Sequence, residues 1–184
     1  LEAHAAREAG LEAVPGQWST EPSWPSPGIK TRQLFLNASG LGYEAEDETL
    51  LSHESPQTLG VAGGSWCPYG LGGVSPDLAV DQREDDGRSL VFDSSPLTDA
   101  LVVVGAPEVH LRLAVDQANA FVVVRLTDVS PDGVSRRVSY GMLNLSRRSG
   151  FDATVPMVPG EPTDVVIRLN DLAHQFAAGH RLRL

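Results

Sequence analysis

The second half of the chain alternates apolar and polar residues with the period of two that is typical of β-strands. The alternation is clearest in two segments, in which one face carries only aliphatic side chains: Val109, Leu111, Leu113 and Val115 in the first, and Val165, Ile167 and Leu169 in the second. Residues 120–129, "AFVVVRLTDV", are apolar at successive positions in their first half. That run predicts a central strand that is covered on both faces.

Turn residues separate these segments. "SPDG" at 130–133 predicts a tight turn, because proline presets one turn dihedral and Gly133 can adopt a positive φ. Residues 134–145 then continue as a strand, so the two strands around the turn are predicted to form a hairpin. Residues 172–179, "LAHQFAAG", are interpreted as a short connection with one helical turn before a last strand in which His180, Leu182 and Leu184 share a face.

The first half of the chain is less regular. Strands are predicted at 31–39, 47–53 and 88–94, and a long glycine-rich loop at 59–80, of a length that is usually functional or mobile. Residues 1–14 have the composition of a weak helix or of a leftover connecting strand. The stretch around Trp18 and Trp24 is predicted to be an extended linker that is packed by its two aromatic side chains. Seven or eight strands with little helix predict an all-β, two-sheet antiparallel sandwich.

Composition narrows the class of partner. The net charge is −10, from 14 basic and 24 acidic side chains, which disfavours nucleic acid, and no basic amphipathic stretch suits a membrane surface. Cys67 is the single cysteine, so a disulfide within the chain is excluded. This cysteine usage is compatible with a cytoplasmic location without establishing it.

No stretch carries a complete catalytic or metal-binding motif. Ser139 in "RVSYG" and Ser65 in "GGSWC" each lack one glycine of the nucleophile elbow G-x-S-x-G. The five histidines show no metal-ligand spacing, and the acidic run at 84–86 is interpreted as a solvated turn. The calcium-like start "DVSPDG" has a serine where such a loop needs an acidic residue. We therefore predict no catalytic residue, no cofactor-binding residue, no metal site and no cofactor in this chain.

Several segments together resemble a known family. "DDGRSLVFDSSPLTDALVVVGAPEVHLRL", "VVVRLTDVSPDGVSRRVSYGMLNLS" and "FAAGHRLRL" are similar, in order and spacing, to the C-terminal domain of the X-Pro dipeptidyl-peptidase and cocaine-esterase family of acyl hydrolases. "SWPSPGIKTRQLFL" and "VDQREDDGRSLVF" fit the same pattern. The resemblance covers most of residues 18–184.

The resemblance implies a jelly-roll β-sandwich of the galactose-binding type, at residues 31–184, preceded by a linker or remnant at 1–30. It implies that the sandwich packs on an α/β-hydrolase domain of the same parent chain, and that the Ser-Asp-His triad belongs to that domain. The parent is then a serine hydrolase of dipeptidyl-peptidase or esterase type, and this chain alone is inactive. We expect the chain to be truncated at both ends, with its last strand incomplete, and to self-associate through uncovered apolar surface.

Residues 59–80, with Trp66 and Tyr69, are predicted to face the hydrolase domain and to help shape its active site. Two alternatives stay open at this point. One is a carbohydrate-binding module, although Phe92, Phe121 and Tyr140 form a sparse aromatic platform for a sugar. The other is a small esterase that works alone, which the absence of G-x-S-x-G disfavours.

Overall fold

The computed structural model describes residues 16–64, 79 and 81–184. Within them the strands are β1 (Phe35–Asn37), β2 (Gly40–Gly42), β3 (Leu101–Gly105), β4 (Glu108–Leu113), β5 (Phe121–Val129), β6 (Ser135–Asn144), β7 (Thr163–Arg168), β8 (Leu172–Phe176) and β9 (Arg181–Arg183). Helix α1 (Arg83–Asp86) and the 3-10 turns Val61–Gly63 and Leu145–Arg147 are short. The predicted all-β class is confirmed.

The strands form small sheets with the orders β1-β2, β3-β8, β4-β7 and β6-β5-β9. The pairs β1–β2, β4–β7 and β5–β9 are antiparallel. The chain divides into two compact units. The first contains the described residues up to Val104 together with Leu126–Val138 and Ala173–Leu184, and the second contains Gly105–Arg125 and Ser139–Leu172.

In the first unit, the last strand is hydrogen-bonded on both sides. On one side β9 pairs with β5 over Thr127–Val129. On the other side, Phe92 N donates to Leu184 O at 2.8 Å and Leu184 N donates to Phe92 O at 3.0 Å. The segment predicted as a strand at 88–94 is therefore extended where it meets β9, but it forms only a single bridge there, at Asp93. Aliphatic and aromatic side chains form the core of this unit: Ala62, Leu126, Val129, Phe176 and Leu182.

In the second unit, β4 and β7 pair over six residues, and their alternation is as predicted. Val109 on β4 and Val165 and Ile167 on β7 are buried, whereas their chain neighbours on both strands are exposed. Gly141 on β6 lies so close to β7 that an added Cβ would be 2.4 Å from the carbonyl oxygen of Arg168. The core of this unit therefore depends on a position that leaves no room for a side chain.

The hairpin prediction is confirmed. Ser130 N donates to Val134 O at 3.0 Å, Gly133 N donates to Ser130 O at 2.8 Å, and Gly133 has a φ of +89°. The prediction that the apolar first half of β5 is covered on both faces is wrong. Phe121 is 70% exposed and Val123 is 55% exposed, and it is instead the half from Leu126 to Val129 that is buried on both faces.

Three local predictions are also wrong. Residues 172–176 form strand β8 and not a helical turn, because Leu172, His174 and Phe176 face the protein and alternate with two exposed residues. Residues 47–53 form no strand, and Leu50 is almost fully exposed. Trp18 and Trp24 are 87% and 70% exposed, so they do not pack the segment around them. The interpretations of residues 1–14 and of most of the loop at 59–80 lie outside the described residues.

Candidate functional site

Two histidines meet at one buried carboxylate in the first unit. Asp128 lies on β5 and its side chain is 6% exposed. His174 on β8 approaches one carboxylate oxygen through Nε2 at 2.9 Å, and His180, just before β9, approaches the other through Nδ1 at 2.7 Å. The His174 ring also packs edge-on against Phe176, with ring centroids 4.7 Å apart. We call these three residues the His-Asp-His cluster.

The electrostatics of this cluster favour the ionised carboxylate. Burial by itself raises the pKa of Asp128, because a carboxylate is poorly solvated inside the protein. Hydrogen bonds and charge interactions with His174 and His180 outweigh that effect, and the pKa of Asp128 lies below its ordinary value. The cluster therefore joins β5, β8 and the start of β9 through a carboxylate that stays charged at neutral pH.

A histidine held by an aspartate also supplies two of the three members of a hydrolytic triad, which further requires a nucleophile next to the histidine. The hydroxyl groups on β5 and β6 have hydrogen-bond partners outside the cluster. Thr127 Oγ1 lies 3.1 Å from Ser135 Oγ, and Ser139 Oγ donates to Asn170 O at 2.7 Å. These contacts and the three-strand connection support a structural role for the cluster.

The cluster is a feature that the sequence analysis missed. His174 and His180 are six residues apart, which matches no metal-ligand spacing, and Asp128 was considered only as the start of a calcium-like loop. Among the described residues, no group of His, Cys, Asp or Glu side chains is arranged to hold a metal ion. The only available signal was the placement of Asp128 within an otherwise apolar strand end, where a carboxylate needs partners.

A second charged cluster links β9 to the end of α1 and to the extended segment around Asp93. Arg183 on β9 donates from Nε and Nη2 to the two carboxylate oxygens of Asp93, at 2.6 and 2.7 Å. Its Nη1 lies 3.1 Å from Asp86 Oδ2 at the end of α1. The hydrogen bonds to Asp93, and further those to Asp86, raise the pKa of Arg183, which therefore remains charged. The paired geometry suits a guanidinium and not an ammonium group.

The prediction of a solvated turn at 84–86 holds for the exposed Glu84 but is wrong for the two aspartates that follow it. Asp85 is 2% exposed and Asp86 is 6% exposed. Asp85 accepts hydrogen bonds from the backbone N–H groups of Gly60 at 3.1 Å and Ala62 at 3.2 Å. The sequence suggested a solvated turn because acidic residues beside a glycine are usually exposed, whereas here the folded chain supplies partners for both carboxylates.

These contacts fix the start of the glycine-rich loop. The fully buried Gln82 donates from Nε2 to Ala62 O at 2.8 Å, and Arg137 on β6 donates to the carbonyl oxygen of Gly63. Together with the two hydrogen bonds to Asp85, they hold residues 60–63 against α1 and β6. Ala62 is buried beneath them, while Val61 points outward and is 83% exposed. We call residues 60–63, with these partners, the loop anchor.

The remaining candidates have ordinary environments. Ser139 is buried within β6 and, as stated above, bonds to a backbone carbonyl. In the calcium-like stretch, Asp128 belongs to the His-Asp-His cluster and Asp132 accepts a hydrogen bond from the Ser130 hydroxyl inside the hairpin turn. Asn144, which begins the triplet Asn144-Leu145-Ser146 that has the N-x-S pattern of glycosylation sites, caps the following 3-10 turn by accepting from Ser146 N at 3.0 Å. Ser65 and Cys67 lie outside the described residues.

An open depression of about 440 Å³ lies beside β1 and β2 in the first unit. Its polar groups bond to one another: Asn37 donates to Glu44 O at 2.8 Å and accepts from Glu46 N at 3.1 Å, and Ser39 donates to the Glu46 carboxylate. The depression therefore presents side chains that already have hydrogen-bond partners.

No helix in the described part of the chain is long and apolar enough to cross a membrane.

The described residues are thus mainly antiparallel strands, and the buried carboxylates of the first unit have histidine, arginine or backbone N–H partners. The sequence profile of the family described as the X-Pro dipeptidyl-peptidase C-terminal non-catalytic domain matches residues 4–184. The chain belongs to this family, and the resemblance noted in the sequence is confirmed.

Relatives of the chain are longer proteins. It is 27% identical, over 93% of its own length and 30% of the relative's length, to a provisionally named serine esterase of Mycobacterium bovis. It is 23% identical to the cocaine esterase of a Rhodococcus strain, over 90% of this chain and 31% of that protein. The chain therefore spans less than a third of the curated relatives that it matches.

A solved aminopeptidase from a marine sediment Thaumarchaeota archaeon shares the fold, with a TM-score of 0.74 and 24% identity over 91% of this chain and 30% of that one. An α-amino acid ester hydrolase matches with a TM-score of 0.64 and 26% identity, over 82% of this chain and 27% of that one. These relatives are named as esterases and peptidases, so they give no support to the carbohydrate-binding alternative.

Proposed function

We propose that this chain is the accessory β-sandwich domain of a serine acyl hydrolase of X-Pro dipeptidyl-peptidase or acyl-esterase type. In this proposal it packs on an α/β-hydrolase domain of the same parent chain, which carries the catalytic triad, and it helps to shape the active site there. The observation that carries the proposal is the family match over almost the whole chain, combined with relatives that are about three times longer.

The loop anchor supports the part of the proposal that concerns the active site. A loop that completes a neighbour's pocket must be held firmly at its base, because binding residues act best when a rigid scaffold positions them. Residues 60–63 are held by Asp85, Gln82 and Arg137, all of which have backbone or side-chain hydrogen bonds to the loop. The outward-pointing Val61 begins the segment that we assign to the active-site side.

The names of the relatives indicate a broad class of substrate for the parent protein. Esterases, an aminopeptidase and an α-amino acid ester hydrolase all transfer an acyl group from an ester or amide to water. We therefore propose an acyl ester or a peptide as the substrate of the parent, with the ester tested first because simple chromogenic esters are available.

The test compares this chain with the whole parent protein on p-nitrophenyl acetate and on an X-Pro-p-nitroanilide. We expect no hydrolysis by the chain alone, and hydrolysis by the parent that a serine-directed phosphonate abolishes. Hydrolysis by the chain alone, lost on replacing one of its own serines, would overturn the proposal. A parent that hydrolyses neither substrate class, and does not react with the phosphonate, would overturn it as well.

The active-site role is tested by Trp66→Ala in the parent, with Trp18→Ala as the matched control because Trp18 is 87% exposed and outside the loop. We expect Trp66→Ala to change KM or kcat/KM at least threefold with an unchanged melting temperature, and Trp18→Ala to change neither. Identical kinetics in both variants would refute the active-site role and leave the accessory-domain assignment intact.

A further inference from the structure

Two strands of the second unit carry exposed apolar side chains. On β5, Phe121 is 70% exposed and Val123 is 55% exposed, whereas Val124 is 8% exposed. On β6, Met142 is 57% exposed, next to the buried Gly141. Each strand therefore has one side that is buried in its unit and another side on which large apolar groups meet solvent.

These exposed groups lie on one common side. An added Cβ at Gly141 would be 3.1 Å from the Ile167 side chain, which is 1% exposed, so Gly141 faces the core of the unit. Met142 follows it along the strand and points the opposite way, because successive side chains alternate. Phe121 and Val123 likewise alternate with the buried Val124. Since β5 and β6 are neighbours in one sheet, their outward sides form a single surface, which we call the apolar face.

The outward side of the other strand pair in this unit is different. On β4 and β7 the exposed positions are mostly charged or polar, with one valine among them: Glu108, His110, Arg112, Asp164, Val166 and Arg168. A solvated sheet face is ordinarily of that polar kind. The outward side of β5 and β6 is therefore more apolar than that of β4 and β7. Other exposed apolar side chains of this unit, such as Phe151 and Val158, lie outside its strands.

We propose that the apolar face, formed by Phe121, Val123 and Met142, is the surface on which the catalytic domain of the same parent chain docks. This inference rests on the proposed function. The chain covers about 30% of its esterase relatives, so most of such a parent is available to cover the face. The acidic composition argues against a phosphate-rich partner, and an apolar patch is best matched by an apolar protein surface.

A tethered partner fits better than a second copy of this chain. Three side chains cover at most a few hundred Å², whereas a stable interface between separate proteins buries roughly 800 Å² on each partner. A covalent connection removes most of the entropic cost of association, because the effective concentration of a linked domain reaches roughly the millimolar range. A patch of this size therefore suffices as part of an intramolecular contact.

Cysteine accessibility tests the proposal. Val123 and Val166 form a matched pair, because both are strand valines of the second unit and are 55% and 49% exposed. Val123→Cys and Val166→Cys are each made in a Cys67→Ser background, in this chain and in the whole parent protein, and are labelled with a maleimide. Labelled peptides are identified by mass spectrometry. We expect labelling of Val123→Cys to be at least tenfold slower in the parent than in the chain, and Val166→Cys to react at equal rates in both.

The outcomes separate the two proposals. Equal rates for Val123→Cys in both proteins, or slowing only for Val166→Cys, would overturn the docking surface, while ester or peptide hydrolysis by the parent would still support the proposed function. If labelling of Val123→Cys in the chain alone becomes slower as the protein concentration rises, a second copy of the chain covers the face. That result would also overturn the inference. Protection at Val123→Cys in a parent with no hydrolase activity would retain the docking surface and remove the proposed activity.

Discussion

Gly141 is the position at which the packing of the second unit can be tested most directly. A Cβ at this residue would lie 2.4 Å from the carbonyl oxygen of Arg168, 3.0 Å from its carbonyl carbon and 3.1 Å from Ile167 Cγ2. The normal distance for a carbon–oxygen contact of this kind is about 3.3 Å or more. Gly141→Ala therefore requires β6 and β7 to separate by about 0.9 Å, unless the backbone shifts in another direction.

The obstacle is backbone and not a flexible side chain, so it cannot simply rotate away. Arg168 is the last residue of β7, which pairs with β4 over six residues, and Ile167 is buried in the core. Overpacking of a well-packed site costs about 1–3 kcal/mol. Alanine also restricts the unfolded chain more than glycine does, and this offsets about 0.4–1 kcal/mol of that cost. We therefore expect Gly141→Ala to lower the free energy of unfolding by about 1–2 kcal/mol.

Gly87→Ala is the matched control. Gly87 has a φ of −64°, which any residue adopts, and its added Cβ would be 3.5 Å from the nearest atom. That variant should be neutral or slightly more stable. With a urea m-value of about 2 kcal/mol/M, the two variants should differ in unfolding midpoint by roughly 1 M, measured by circular dichroism. Midpoints that agree within about 0.2 M would refute the close approach of the two strands.

Three further predictions concern the paired charges and the core of the first unit. The pKa of Asp128 is lower in the folded than in the unfolded chain, so the ionised carboxylate stabilises the fold above the unfolded pKa of about 3.9. That stabilisation is lost as the pH falls through the lower folded pKa. Asp128→Asn should therefore lose less stability than the wild-type chain below about pH 4, as measured by urea titrations. Arg183→Lys should lower the free energy of unfolding in urea by about 2–4 kcal/mol, because a lysine cannot bond two carboxylates as the guanidinium does. Arg168→Lys is the control and should lower it by less than about 0.5 kcal/mol, since the pair of Arg168 with Asp171 is exposed. Phe176→Ala should cost about 3–5 kcal/mol in the same assay, because Phe176 is fully buried, and Phe151→Ala should be near neutral, because Phe151 is 90% exposed.

Each of these predictions has a result that contradicts it. Parallel pH profiles for the wild-type chain and Asp128→Asn would mean that this carboxylate does not contribute to acid sensitivity. An Arg183→Lys variant as stable as Arg168→Lys would show that the contacts to Asp93 and Asp86 add nothing to stability. Equal midpoints for the two phenylalanine variants would place Phe176 outside the core.

The sequence by itself determined the features that depend on neighbouring residues. The period-two alternation in β4 and β7 is a local property, and it identified Val109, Val165 and Ile167 as core residues because each strand buries one face. The turn at "SPDG" was also predictable, since proline and glycine restrict backbone angles wherever they occur. The family was recognisable because several such segments occur in a characteristic order.

Only the tertiary structure decided which distant residues meet. Asp128 contacts histidines that are 46 and 52 residues away, and Arg183 reaches Asp86 across 97 residues. Such contacts depend on sheet order and strand register, which no local pattern encodes. The same reason explains two predictions that were wrong. Asp85 and Asp86 are buried because distant parts of the chain supply their hydrogen-bond partners, and Phe121 is exposed because the described chain places nothing over that end of β5.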